Sequence, residues 1–310
     1  MILVTGISGY IGSHLTNLLS KRGLPHVGVD LAPQLFTTEI SRFEQVDILD
    51  FEALRKVFLK YRIQTIIHLA AKKSIAESKL RPAHYTQVNE LGTENLAKLA
   101  IEFHVSRFIF ASSAAVYGMP TEHPVTENQI CEPISLYGTN KLNSENLLRE
   151  ISKGYFGVTN LRFFNVAGSI IPGLPNGDDL SLFAKLFRCV STGEVLEIYG
   201  NSFETADGTS VRDYIFIQDL MEAIFRLLSI ETEVFETLNF GSGVPTSTRE
   251  VIAEFENQSR QNISKEYKDA RYGEIPFIVS SIEKTTRTLG FAPKTTLAEM
   301  VCSYMKRLDS

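Results

Sequence analysis

Two short stretches bring together side chains able to move a proton. FASSAAVYG closes an apolar run with Ser112 and Ser113, and LYGTNK sets Tyr137 and Lys141 four residues apart. On a helix that interval places both side chains on one face. A tyrosine and lysine at this spacing are by themselves an ordinary solvated helix surface. A serine at the carboxyl end of a buried parallel strand makes the set chemically coherent, because ligands of open parallel sheets bind at those ends. A phenol titrates at about 10 when unperturbed and becomes a usable base when nearby positive charge stabilises the phenolate. Tyr137 is then expected to take a proton at neutral pH, Lys141 to supply charge, and Ser113 to hydrogen-bond the reacting oxygen.

A second set concerns anions. TGISGYIGSH places Gly6, Gly9 and Gly12 between a first apolar run and a helical pattern. Glycines let such a turn bend tightly and approach a pyrophosphate, which the following helix N-terminus attracts. The spacing is GxxGxxG, and a purely structural strand–helix turn would also use it. Asp30 strengthens the ligand reading. It ends the next apolar run, 18 residues after Gly12, where a carboxylate accepts hydrogen bonds from an adenosine ribose. Leu31 and Ala32 follow, with no arginine nearby for a 2′-phosphate, so NAD is favoured over NADP. Further on, GNSFETADGTSVRDYIFIQDL (200–220) delivers Arg212 to the start of an apolar strand. Either an anion waits there, or Arg212 pairs with Asp213 or Asp219.

The elements that must position these residues follow from periodicity. Short apolar runs at 2–6, 26–30, 43–48, 65–70, 107–113 and 158–165 alternate with helical patterns at 13–23, 51–61 and 89–103. Near-continuous apolar strands separated by helices predict a parallel sheet covered on both faces, the doubly wound α/β arrangement. After Asn165 come a Gly/Pro-rich loop (168–177), helices at 181–192 and 219–230, and a strand-like TLNFGSG (237–243) that returns towards the sheet.

Bulk composition narrows the function. Lys and Arg total 31 against 36 Asp and Glu, and no basic block stands out, which disfavours nucleic acid or an anionic membrane surface. No apolar run approaches the roughly 20 residues that span a bilayer. A strand begins at the N-terminus without a leader, so a soluble cytoplasmic protein is expected. Cys131, Cys189 and Cys302 are far apart and read as reduced core residues. Histidines 14, 26, 84, 104 and 123 form no metal spacing, and His68 is expected to pack or bond to backbone. Phe163 and Phe164 read as core, and Tyr199 either touches a base or buries its loop.

The chain resembles the extended short-chain dehydrogenase/reductases, and within them the UDP-glucose 4-epimerases, nearly end to end. The resemblance is carried by TGISGYIGSH, VDILD, IIHLAAKKSIAES, VNELGTENL, SSAAVYG, YGTNK, LRFFNVAG, ADGTSVRDYIFIQDL and LGFAPKTTLAEM. DGTSVRDYI points to the epimerase branch. The resemblance implies a Rossmann-like NAD-binding domain over 1–166 with return segments near 211–243, and a smaller, partly interleaved nucleotide-sugar domain over 167–310. It implies that Tyr10 and Ile11 offer backbone to the pyrophosphate and that Asp30, beside Leu31, holds the ribose. Asp47 and Ile48 would contact adenine. Leu69, Ala70 and Lys73 would line the cofactor cleft, with Asn89 and Phe164 nearby and Lys73 also reaching the substrate. Ser113, Tyr137 and Lys141 match the catalytic serine, tyrosine and lysine. Asn165, Arg212 and Arg271 would grip the nucleotide diphosphate, with Tyr199 on uracil.

The implied reaction is NAD-dependent C4 epimerisation of a UDP-hexose, UDP-glucose and UDP-galactose foremost, through a transient ketone and without a metal. Galactose metabolism is the implied setting, and a homodimer would form through helices near 88–103 and 137–152. Several positions depart from the family pattern. Ala115 stands where threonine is usual, Phe216 replaces a histidine, and SLFAK (181–185) occupies the region of an Asn-Leu-x-Pro motif. Ile278 falls near a position whose size governs N-acetylated sugars. Other UDP-hexosamine or UDP-uronic acid epimerases, a dehydratase or reductase, and a non-catalytic NAD-sensing regulator are the competing readings. Ser113-Ala114-Ala115 lacks the carboxylate that dehydration wants.

Overall fold

A computed structural model describes residues 1–33, 42–168, 181–230, 235–271 and 273–306. Two units divide the chain: Met1–Gly118, Ile130–Phe163 and Leu228–Leu238 form the first, and Met119–Gln129, Phe164–Leu227 and Asn239–Ser310 the second. Of the return segment expected over 211–243, residues 228–238 lie in the first unit, while 211–227 lie in the second. Most of the Gly/Pro-rich loop at 168–177 falls outside the described residues.

The apolar runs become β1 (Ile2–Thr5), β2 (His26–Asp30), β3 (Phe43–Gln45), β4 (Thr65–His68), β5 (Arg107–Ser113) and β6 (Gly157–Phe163). The strands that follow are β7 (Asn165–Ala167), β8 (Leu196–Tyr199), β9 (Val211–Phe216), β10 (Phe235–Phe240), β11 (Pro245–Ser247) and β12 (Lys265–Lys268). The first unit carries a seven-stranded sheet in the order β10-β6-β5-β4-β1-β2-β3. All five neighbouring pairs from β3 to β6 are parallel. Consecutive residues such as Leu3 and Val4, Ile66 and Ile67, and Phe108 and Ile109 are all buried. Both faces are therefore covered, as the unalternating apolar runs require. The order reverses between β1 and β4, where Thr5 sits opposite His68 at the carboxyl ends. That reversal is the topological switch point of this Rossmann-like α/β fold.

Helices α1 (Tyr10–Lys21), α2 (Phe51–Lys60), α3 (Ile75–Leu80), α4 (Pro82–Thr86), α5 (Gly92–Glu102) and α6 (Leu136–Ile151) belong to this unit. A π-helical turn at Gln87–Leu91 joins α4 to α5, and a 3₁₀ turn at Ala114–Tyr117 follows β5. The first helix starts three residues earlier than its periodicity suggested, directly on the glycine turn. The short α3 and α4 have no sequence counterpart, since five or six residues are too few to establish a period. Ser135 caps α6 by accepting the Gly138 N–H at 3.1 Å. The buried stripe of α6 runs Gly138, Lys141, Glu145, Leu148, so two charged residues occupy the core face. A Cβ on Gly138 would lie 2.4 Å from the Ala115 carbonyl oxygen, so glycine lets α6 press onto the 3₁₀ turn.

The second unit holds a three-stranded sheet, β11-β9-β7, and the parallel pair β12-β8. Helices α7 (Leu182–Thr192), α8 (Ile217–Leu228), α9 (Thr248–Ser259), α10 (Glu283–Leu289) and α11 (Leu297–Met305) accompany them. Phe183 gathers Tyr214, Phe255 and Tyr304 at ring separations of 5.1 to 5.8 Å. SLFAK opens α7, with Ser181 accepting the Ala184 N–H. Of the cysteines only Cys189 is buried; Cys131 and Cys302 are half-buried, which corrects the expectation of three core thiols. Among the described residues no helix is long and apolar enough to cross a membrane.

Asp213 is the polar hub of this unit. Fully buried, it accepts the Ser242, Gly243 and Ser280 N–H groups at 2.6, 3.1 and 3.0 Å, and both serine hydroxyls as well. One carboxylate thus ties β9 to two separate loops. Asp213→Ala should lower stability by on the order of 3 kcal/mol, because buried donors are left without an acceptor. A urea unfolding midpoint close to wild type would contradict this.

Candidate active site

The turn after β1 is shaped by its glycines for different reasons. Gly6 has φ +77°, and a Cβ there would lie 2.6 Å from the Ala70 backbone nitrogen. A Cβ on Gly12 would lie 2.1 Å from the Gly6 carbonyl oxygen. Both positions are closed by the chain itself. At Gly9, which is exposed, a Cβ would meet only the Gly6 oxygen at 3.3 Å. A side chain at Gly9 would require the Gly6 oxygen to give by a few tenths of an ångström, a looser constraint than at Gly6 or Gly12. Gly9 also begins α1 without a side-chain cap, whereas α2, α6, α7 and α9 are capped by Asp50, Ser135, Ser181 and Ser247. An uncapped helix start behind an open glycine suits a pyrophosphate. Asp30 accepts the Ser8 and Ala32 N–H groups, each at 2.9 Å, one per oxygen. Each carboxylate oxygen retains acceptor capacity for a ribose hydroxyl. Leu31 beside it is exposed. Tyr10 is buried edge-on against His14, and Ile11 is half-buried. These residues fit a dinucleotide.

The loop after β4 faces the same turn. The Leu69 N–H donates to the Thr5 carbonyl, and the Ala70 N–H to the Thr5 hydroxyl, both at 3.2 Å. Asn89, on the π-helical turn, clamps Lys72 through both its N–H (2.8 Å) and its carbonyl (2.9 Å). Its amide is committed to shaping the loop. Lys73 is exposed beside it. Asp47 accepts the Leu49 N–H at 2.9 Å. Ile48 is buried against Gly92, and its carbonyl accepts the Asn95 amide at 3.0 Å. His68 packs, as one of the two expected alternatives, buried against the Phe108 and Phe110 rings. It lies between the hydroxyls of Thr5 and Thr93.

Ser113, Tyr137 and Lys141 come together. Tyr137 shares a side-chain hydrogen bond with Ser113, whose Oγ also accepts the Ala115 N–H at 3.2 Å. Lys141 is buried, donates from Nζ to the Ala111 carbonyl at 2.7 Å, and lies 5.9 Å from the Tyr137 ring centre. Burial pushes the Tyr137 phenol above its ordinary value, with the Ser113 hydrogen bond opposing it. The lowered phenol is expected from Lys141 together with a cationic nicotinamide; Lys141 alone donates to a backbone carbonyl here. Burial instead lowers Lys141 to about 7, with the Glu145 carboxylate working to hold the charge.

Glu145 escaped the sequence reading, although it lies one helical turn beyond Lys141. It is fully buried and accepts Arg162 Nε and Nη2 at 3.0 and 2.7 Å, plus the Ser112 hydroxyl at 2.5 Å. Arg162 pairs in register with Ser112 and stacks 4.8 Å from the Tyr117 ring centre. A bidentate ion pair thus fastens α6 to β5 and β6 beneath the serine–tyrosine pair.

In the second unit, Arg212 pairs with neither Asp213 nor Asp219. It donates to Glu274 at 2.9 Å and to the Val211 carbonyl at 3.0 Å. Asp219 instead accepts the Lys294 and Thr295 N–H groups. Glu274 was invisible in the sequence because it lies 62 residues from its partner. The Arg271 guanidinium stacks 3.6 Å from the Tyr199 ring centre, and the Tyr199 hydroxyl donates to Glu197. Asn165 is exposed at the start of β7, and Phe164 is buried, its N–H on the Phe240 carbonyl. Phe216 packs over Gly168, whose Cβ would lie 2.1 Å from the ring, and Ile278 is buried.

The lowered Lys141 has a stability signature. Free lysine keeps its proton to about pH 10.4, so above about 7 the unfolded chain binds more protons than the folded one. Stability from this group therefore rises with pH across that window. Thermal unfolding between about pH 7 and 10 should show this rise in wild type and lose it in Lys141→Met. Equal slopes would mean that Lys141 stays charged when folded.

The model of the NAD dependent epimerase/dehydratase family matches residues 2–241. UDP-glucose 4-epimerase of Yersinia enterocolitica is 34% identical, covering 97% of this chain and 95% of that protein. The Bacillus subtilis UDP-glucose 4-epimerase is 33% identical over 96% of this chain and 94% of its own length. Among solved structures, the Bifidobacterium longum UDP-glucose 4-epimerase in complex with NAD+ and UDP superposes with a TM-score of 0.92 at 29% identity, covering 98% and 96% of the two chains. A switch-point glycine turn, a serine–tyrosine–lysine set and likeness over nearly the whole length agree, and the chain belongs to the NAD dependent epimerase/dehydratase family.

Proposed function

We propose that this chain is an NAD-dependent epimerase that interconverts a UDP-hexose and its C4 epimer, UDP-glucose and UDP-galactose foremost, through a transient 4-keto sugar. The observation that carries the reading is the Tyr137–Ser113 hydrogen bond with Lys141 one turn along the same helix, in a chain that aligns with UDP-glucose 4-epimerases over nearly its whole length. When bound, NAD+ would supply the hydride acceptor and donor for C4.

The remaining work falls to this chain's residues. Gly6, Gly9 and Gly12 form the turn under the pyrophosphate, with the Tyr10 and Ile11 backbone on it, and Asp30 takes the ribose. Asp47 and Ile48 meet adenine, and Leu69, Ala70 and Lys73 line the cofactor cleft. Tyr137 accepts the C4 hydroxyl proton at its phenolic oxygen while Ser113 hydrogen-bonds the same sugar oxygen. Burial raises the phenol, so positive charge in the occupied site would be needed to give the phenolate that accepts this proton. Lys141, seated on the Ala111 carbonyl, contributes charge beside the ring. Asn165, Arg212 and Arg271 hold the diphosphate, and Tyr199 the uracil. A diphosphate would share or displace the Glu274 carboxylate now on Arg212. The first unit is then the NAD-binding body and the second the nucleotide-sugar-binding body. The proposal extends to a cytoplasmic homodimer in galactose metabolism. Its contact surface would lie on the helices near 88–103 and 137–152, where Glu90, Glu94, Asn143 and Leu147 border a groove of about 450 Å³.

Incubation with UDP-glucose, UDP-N-acetylglucosamine and UDP-glucuronic acid should yield the C4 epimer of UDP-glucose. Absence of any C4 epimer would overturn the reading. Tyr137→Phe should reduce turnover by at least about 10²-fold with NAD still bound, and near-normal turnover would remove Tyr137 as the base. Arg212→Ala should weaken UDP binding far more than NAD binding; equal losses would mark a structural role.

A further inference from the structure

His68 lies outside the proposed chemistry, yet it is one of the most tightly specified side chains in the first unit. It is 1% exposed, and its two hydroxyl partners, Thr5 and Thr93, are fully buried. Proton counting fixes the direction of every bond. The Asn89 carbonyl can only accept, so the single Thr93 hydroxyl proton goes to it, at 2.6 Å. The Thr93 oxygen must then accept from His68 Nε2, at 3.0 Å. A neutral imidazole carries one N–H, so His68 Nδ1 accepts the Thr5 hydroxyl proton at 2.7 Å. The Thr5 oxygen in turn accepts the Ala70 N–H at 3.2 Å.

The chain runs in one direction between two segments of backbone. It starts at the Ala70 N–H and ends at the Asn89 backbone carbonyl, and the side-chain amide of that same residue holds both backbone groups of Lys72. We infer that Thr5, His68 and Thr93 form a one-way hydrogen-bond circuit that holds the 69–73 loop in its NAD-binding shape, with His68 as a neutral Nε2–H positioning residue. The inference rests on the proposed cofactor reading, because Leu69, Ala70 and Lys73 are the residues assigned there to NAD.

The surroundings favour the neutral ring. Thr5 on β1, Thr93 on α5, and the Phe108 and Phe110 rings of β5 at 6.0 and 5.8 Å surround it, and Lys141 on α6 is the charged group that acts on it. Burial first, then the Lys141 charge, bring the imidazole down to about 3. Protonation would also put a second N–H against Thr5 and turn its hydroxyl proton out of the circuit. An imidazole that never charges near neutrality is a spacer with one donor and one acceptor at fixed ends.

The test removes hydroxyls without removing shape. Thr5→Val and Thr93→Val should each weaken NAD binding by about tenfold, since a buried group loses its partner. Thr5→Ser and Thr93→Ser should bind NAD close to wild type. The loss should appear in NAD affinity and not in turnover at saturating NAD. The double valine variant should lose less than the product of the single losses, because either break opens the same circuit. Nitrogen-15 NMR of the histidine side chains should show His68 as the neutral Nε2–H tautomer from about pH 5 to 8, where a free imidazole titrates. Equal NAD losses in valine and serine variants, or a His68 that titrates or carries its proton on Nδ1, would overturn the circuit. Wild-type protein that binds no NAD would overturn the cofactor reading itself, and the tautomer would still report separately on the hydrogen bonds.

Discussion

Two strands of backbone pass each other at the switch point with no room for a single methyl group. The turn after β1 lies so close to the loop after β4 that a Cβ on Gly6 would intrude to 2.6 Å from Ala70. Parallel pairing of β1 with β4, Thr5 opposite His68, brings these segments side by side. Reversal of strand order at that point sends the flanking connections apart and opens the crevice in which α/β sheets hold ligands. The close approach also dictates local chemistry. Gly6 must be glycine, α1 must begin at once, and the loop after β4 must be shaped by hydrogen bonds because side-chain packing cannot reach it.

Much of the first unit's specificity lies in buried polar groups that are fully partnered. Glu145 and Arg162 are charged residues in a core position, costly to desolvate and tolerable only because the fork geometry and the Ser112 hydroxyl satisfy them. Their reward is registration: α6 cannot slide on β6 without breaking the pair, nor on β5 without losing the Ser112 hydroxyl. Lys141, one turn away, shows the opposite balance. It has a single carbonyl acceptor and a carboxylate in its neighbourhood, and burial dominates its ionisation. Two basic groups in one small region of the fold are thus treated differently by their partners alone.

In the second unit the neighbouring residues Arg212 and Asp213 have unrelated duties. Asp213 turns inward and joins three backbone segments, whereas Arg212 stays partly exposed and pairs with a carboxylate from a distant loop. Alternation along a strand separates them onto opposite faces. This is why an adjacent acid does not neutralise the arginine, and why its guanidinium stays available to an anion at the expense of one partly exposed ion pair.

Most of the architecture was legible along the chain. Short apolar runs such as those around Val27 and Ile66, alternating with helical patterns, read as strands buried on both sides, and the glycine turn and Asp30 read as a nucleotide site. The short α3 and α4 and the small strands β7, β8, β11 and β12 were not legible, because each is too brief to show a period. Ser113, Tyr137 and Lys141 could be nominated from spacing and strand position. Glu274, Glu145 and the His68 partners Thr5 and Thr93 could not, being separated from their counterparts by 62, 17, 63 and 25 residues. By itself the sequence determined the parallel sheet, its phosphate-type turn and the identity of the candidate proton-transfer set, since these rest on local periodicity and side-chain type. Only the tertiary structure decided where Lys141 points, what Arg212 holds and which nitrogen of His68 carries the proton. Ionisation and hydrogen bonding depend on burial and on partners met through space.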